Sequence, residues 1–124
     1  MADDKRERGA RRMEDVCGIP APPAGSSRFV DMTVEHLFAE VWDDAALSVR
    51  DRRLVVLGIL AALGDAQNLG VHMGQALQRG DVTPEQLDQV VLTVAHYAGW
   101  PRSTHAHAAA GTAKAAHAEA RKKG

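Results

Sequence analysis

The chain has 124 residues, 45% of them hydrophobic but only 4% aromatic, enough for one domain whose core is built largely from small aliphatic side chains. Fifteen Lys and Arg stand against sixteen Asp and Glu, a formal charge of −1, so no global field draws the protein to nucleic acid or to an anionic membrane. Its one cysteine, Cys17, leaves no intrachain disulfide or dithiol cycle, and no apolar run approaches the roughly 18 residues of a membrane span.

The opening MADDKRERGARR is charged and lacks the apolar centre of a signal peptide, so a cytoplasmic location is expected. With GIPAPPAGSS, residues 18–27, where Pro20, Pro22 and Pro23 interrupt any helix, it reads as a flexible Pro/Gly-rich arm over 1–28, ahead of a helical domain over 29–120. From Phe29 to Trp42 the apolar residues Phe29, Val30, Val34, Leu37, Phe38, Val41 and Trp42 recur at helical spacing, which predicts a first helix. Ser48 offers an N-cap with Asp51 three residues on, and LVVLGILAAL, residues 54–63, follows as a second helix so apolar that neighbours, another subunit included, are expected to cover it all round.

Residues 66–79 place Leu69, His72, Met73, Ala76 and Leu77 on one face, with Gly80 as the stop. Thr83, Pro84 and Gln86 form a helix start with Thr as N-cap, Pro at N1 and Gln at N3, and Leu87, Val90, Val91, Val94 and Tyr97 are expected inward. After Gly99, Trp100 and Pro101 the alanine-rich HAHAAAGTAKAAHAEARKK favours a last helix with a basic end. No alternation of period two is sustained anywhere, so the class is all-α, a bundle of about five to six helices. The ordered part, about 90 residues, is of a size at which subunit contacts commonly add buried area, and a homo-oligomer is expected.

Six histidines invite a metal reading. His105 and His107, two apart, point to different faces of a helix and cannot make an i,i+4 ligand pair; His96 falls off the core face, and His36 and His117 look outward, so no metal is expected. His72 remains, an imidazole among apolar residues, either a hydrogen-bonded structural histidine or a group poised for proton transfer.

The stretch LSVRDRRLVVLGILAALGDAQNLGVHMGQALQRGDVTPEQLDQVVLTVAHYAGWP, residues 47–101, resembles the carboxymuconolactone decarboxylase family. The resemblance implies an oligomeric helical subunit, commonly a trimer or hexamer, of the alkylhydroperoxidase-like type. Its peroxide-reducing branch carries a Cys-x-x-Cys pair just before the histidine; Asp65 and Asn68 stand there in this chain, which argues against thiol peroxidase chemistry. The namesake reaction releases CO2 from 4-carboxymuconolactone without metal or organic cofactor. It needs a donor at the lactone carbonyl, an acid that reprotonates carbon, and a cation for the remaining carboxylate.

By resemblance, His72 and Glu40 are the catalytic candidates, and Arg52, Tyr97, His105 and Asn68 the substrate-binding ones. Arg52 matches a characteristic family arginine and either forks onto a carboxylate or makes an ion pair with an acid such as Glu40, which in turn orients a histidine or pairs with an arginine. The chain departs from the family pattern in three places: Asn68 replaces a glutamate, the imidazoles His105 and His107 replace an asparagine near Thr104 and a histidine near Ala108, and no arginine sits at Met13 unless Arg12 substitutes. An apolar frame kept with a changed polar set suits a decarboxylase-family enzyme acting on a small cyclic carboxylate or lactone. The alternatives are an enzyme catalysing another proton-transfer or ring-forming step, and a helical oligomer that binds a ligand or a protein without catalysis.

Overall fold

The computed structural model describes residues 2–123, and these are helical apart from short connections, with no strand among them. They fall into two units, Met1–Val49 and Arg50–Gly124. No helix among the described residues is long and apolar enough to cross a membrane.

In the first unit α1 spans Ala2–Cys17 and α2 spans Arg28–Met32, running without a break into a π-helical stretch, Thr33–Val41. The charged start of the chain, expected to be part of a flexible arm, is therefore a helix. Its arginines find carboxylates on the facing element: Arg6 donates to Asp31 at 2.8 Å and to Glu35 at 3.1 Å, and Arg12 donates to Asp43 at 2.7 Å. Val16 is buried with Val34, Phe38, Ala39 and Trp42, so α1 also contributes to a small apolar core. Gly9 lets the two backbones meet, since a Cβ there would collide with the Val34 carbonyl.

Ser27 caps α2 by accepting the Val30 N–H at 3.0 Å. Beyond Met32 the chain widens, and the Trp42 N–H bonds the Leu37 carbonyl, five residues back, at 2.8 Å. Widening alters which apolar residues face in. Val34, Phe38 and Trp42 are buried, with Phe38 and Trp42 stacked at 6.4 Å, whereas Phe29, Leu37 and Val41 of the same expected stripe are exposed.

The second unit holds α3 (Val49–Leu63), α4 (Ala66–Arg79), α5 (Pro84–Ala98) and α6 (Trp100–Lys123). Local chemistry sets the boundaries of α4 and α5. Asp65 caps α4, Gly80 ends it in the left-handed region at φ 76°, and Thr83 with Gln86 forms the reciprocal capping box on α5, with Pro84 at its first position. Both α4 and α5 pack on α6, whose buried positions are the small residues Ser103, Ala106, Ala110 and Ala113, and this lets the helices approach closely.

One apolar cluster fills this unit, with Leu57 and Ala61 of α3, Leu69, Met73, Ala76 and Leu77 of α4, and Leu87, Val91 and Val94 of α5. The expectation that α3 is covered all round is not met within one chain. Buried residues recur every fourth position, Arg53, Leu57 and Ala61, while Val55, Ile59 and Leu63 on another face are 52%, 51% and 67% exposed.

Candidate functional site

The buried stripe of α3 begins with a charged residue. Arg53 has no solvent exposure, and a guanidinium so placed requires partners that restore what water supplied. Its Nη1 donates to His72 Nδ1 at 2.9 Å and its Nε to Asp81 Oδ2 at 3.3 Å. Asp81 owes its position to the end of α4, where the left-handed Gly80 turns the chain and the Asp81 N–H bonds the Ala76 carbonyl at 2.8 Å. Arg79 lies on the same carboxylate oxygen at 3.7 Å.

His72 is half-buried on α4, one residue before the fully buried Met73. Burial first, and then the adjacent Arg53 charge, push its pKa down from 6.5 to about 4, so the ring is neutral at pH 7. An arginine only donates, so Nδ1 accepts and the single proton of the neutral ring sits on Nε2. Burial and, after it, the Arg53 charge keep His72 neutral, and the Arg53 bond fixes its tautomer. What results is a neutral, oriented N–H donor suited to an oxygen on which negative charge develops.

The other sequence-predicted residues are dispersed. Arg52 is half-buried beside Arg53 but turned about 100° around the helix from it. Asn68 is exposed and belongs to the cap of α4: its N–H meets Asp65 Oδ1 at 3.1 Å and its side-chain amide meets Oδ2 at 2.8 Å. These bonds hold the Asp65 carboxyl below its usual pKa, the side-chain bond most strongly. Tyr97, expected inward, is 90% exposed; Ala95 is buried with Val91 and Val94, and this turns the covered face of α5 away from the phenol. His105 is exposed, while His107 lines a cleft between α5 and α6. His117, expected to face solvent, is half-buried.

Glu40 belongs to the first unit, where it pairs with Lys5 Nζ at 3.0 Å and His36 Nδ1 at 3.2 Å. The Lys5 bond, and then that of His36, hold its carboxyl below the usual range. The histidine it meets within this unit is thus His36, one turn before it on the π-helical stretch. Among the described residues no group of three or more His, Cys, Asp or Glu is placed to hold a metal ion.

Sequence reasoning missed Arg53 and Asp81. A signal for Arg53 was present, since it lies four and eight residues before Leu57 and Ala61 and so shares their buried stripe.

Residues 27–112, which contain Arg53, His72 and Asp81, match the carboxymuconolactone decarboxylase family. The chain belongs to that family. A curated relative, the 4-carboxymuconolactone decarboxylase of Acinetobacter baylyi, is 35% identical over 78 residues, which is 63% of this chain and 58% of that protein. The match thus spans less than two thirds of the relative's length. No solved structure matches the chain. In this member of the carboxymuconolactone decarboxylase family, Asp65 and Asn68 form the cap of α4.

Proposed function

We propose that this chain decarboxylates a small cyclic carboxylate, a lactone such as 4-carboxymuconolactone, with His72 as the hydrogen-bond donor to the lactone oxygen. The reading is supported by family membership and by the name of the Acinetobacter relative, and one observation carries it: a fully buried arginine donates to His72 Nδ1, which leaves the proton of this ring, kept neutral by burial and by the arginine's charge, on Nε2. When the bond to the departing carboxylate breaks, its electron pair moves through the conjugated ring to the carbonyl oxygen. The Nε2–H donor stabilises that charge, and a proton then returns to carbon. In this reading Arg52 binds the carboxylate that remains, through the bidentate fork of its guanidinium. Neither step calls for a cofactor, and the working form is a homo-oligomer.

The test is CO2 release and loss of lactone absorbance with 4-carboxymuconolactone. His72→Ala is expected to lower kcat about 10²- to 10³-fold, the usual cost of losing an oxyanion donor. His72→Gln, whose amide N–H can stand near the position of Nε2, is expected to keep part of it. An assembled, fully active His72→Ala protein would sink the proposal.

A second reading, a helical oligomer that binds without catalysis, is favoured by the exposed apolar row Val55, Ile59 and Leu63 on α3. Absence of turnover in an assembled protein that still binds the lactone would select it.

A further inference from the structure

Where α4 ends and α5 begins, the chain turns beside the last turns of α6 and leaves a cleft of about 400 Å³, within the usual size range of small-molecule sites. The packed core fixes its floor, because Leu77 and Val82 in the lining are 3% and 2% exposed. Three basic side chains share the lining, Arg79 from the end of α4 and His117 and Arg121 from α6, and among the described residues no carboxylate does.

His117 and Arg121 lie four residues apart, on one face of α6. Other basic residues of that helix are engaged: Lys114 holds Asp88 at 2.6 Å, and Lys122 lies 3.7 Å from Glu119. Neither His117, although half-buried, nor Arg121 makes a hydrogen bond or ion pair with any described residue. On the opposite wall Arg79 Nε lies 3.7 Å from Asp81 Oδ2, an oxygen that Arg53 holds more closely, at 3.3 Å. The positive charge of the lining is therefore not cancelled from within it.

The backbone of the turn has little to offer a ligand. The N–H groups of Gly80, Val82 and Thr83 already bond Leu77 O at 3.1 Å, Ala76 O at 3.3 Å and Gln86 Oε1 at 2.9 Å, and Pro84 has none. An occupant is left to the basic side chains, which select an anion. A phosphate group carries roughly 1.5 to 2 negative charges at neutral pH and directs its oxygens tetrahedrally, so it can accept from both walls at once. A guanidinium forks onto two such oxygens, and an imidazole in either protonation state has an N–H to donate. A single carboxylate has one charge and two oxygens in one plane, and suits one wall only.

We propose that the cleft between the α4–α5 turn and the end of α6 binds a phosphate dianion, free or as the head of a small phosphomonoester, with Arg121 and His117 on one side and Arg79 on the other. His72 takes no part, so the site stands whether or not the lactone is the substrate.

Phosphorus NMR titration of the full chain with inorganic phosphate, at neutral pH and an ionic strength held constant with NaCl, tests it. Binding should saturate, and Arg121→Met should weaken it about tenfold, the scale of losing one charge-assisted hydrogen bond. Lys122→Met removes the same charge from the next position of α6, outside the lining, and should leave binding unchanged, as should His72→Gln. Arg121 and Lys122 are both exposed, so a folding defect does not separate the two variants. Acetate, a monoanion, should compete only weakly. Propyl phosphate distinguishes the two sources: tighter binding than phosphate assigns the cleft to a phosphomonoester, and equal or weaker binding assigns it to the free ion. No saturable binding, equal losses in Arg121→Met and Lys122→Met, or competition by acetate as effective as by phosphate would overturn the assignment.

Discussion

Arg53 donates to His72 Nδ1 across 2.9 Å from a position with no solvent exposure, so the charge on this pair resides on the arginine. The reverse arrangement, a protonated imidazole, would set two positive groups together in a poorly hydrated place. Asp81, on the guanidinium at 3.3 Å, offsets part of the arginine's charge. A donor of this kind does not change its charge during turnover, so its contribution lies in orientation and in the local field.

His72 should titrate near pH 4 and should couple folding to pH with a definite sign. Its folded pKa lies below the ordinary 6.5, so the unfolded chain takes up the proton first as pH falls. The stability His72 contributes is complete above about pH 6.5 and is lost as pH drops towards 4. The limiting slope is about 1.4 kcal/mol per pH unit, reduced because the ring is partly solvated. NMR titration of the ring against urea midpoints between pH 4 and 7 checks this; His72→Gln should flatten that part of the profile.

Asp81→Ala removes a carboxylate from a fully buried guanidinium and should cost about 3 kcal/mol, the scale of breaking one side of a buried ion pair. Urea unfolding reads the loss. In the same variant the His72 pKa should fall further, because the uncompensated Arg53 charge repels a proton more strongly. Unchanged stability would mean that Asp81 contributes little to holding Arg53.

How much of this was legible depends on where each cause lies in the chain. Thr83, Pro84 and Gln86 carry the capping chemistry of α5 within four consecutive residues, and Gly80 likewise carries the stop of α4, so these boundaries follow from the sequence. The apolar side of α4 and the place of His72 along it follow from simple periodicity, as does the all-helical class. The helix α1 does not, because the carboxylates that meet Arg6 and Arg12 lie 25 to 31 residues away. Arg53 is hidden for the same reason: His72 is 19 and Asp81 28 residues distant, and only packing brings them to it. Tyr97 was misplaced because its aromatic ring outweighs Ala95 in an apolar pattern, although the alanine is what α5 buries.

Gly9→Ala should destabilise the first unit by about 1–3 kcal/mol, the usual range for forcing an extra methyl into a packed contact. Alanine has the better helix propensity by about 1 kcal/mol, so an exposed glycine in α1 would give the opposite sign. Here the new methyl meets the Val34 carbonyl, a backbone atom that cannot rotate away. Hydrogen exchange of the α1 amides, compared with those of α5, locates the effect.

Val55, Ile59 and Leu63 recur every fourth residue, so they form one strip along the helix, and each is at least half exposed. A strip of this kind in water is costly to solubility and gains most from a matching strip, which a second copy of the chain would supply in a symmetric contact. Ile59→Glu places a charge in the middle of the strip while leaving Leu57 and Ala61, the buried side of α3, untouched. Sedimentation velocity should show the parent protein as an oligomer and the variant shifted to smaller species, with the far-UV helical signal retained. An unchanged sedimentation coefficient would move the subunit contact away from α3, and a parent protein that sediments as a monomer would remove it altogether.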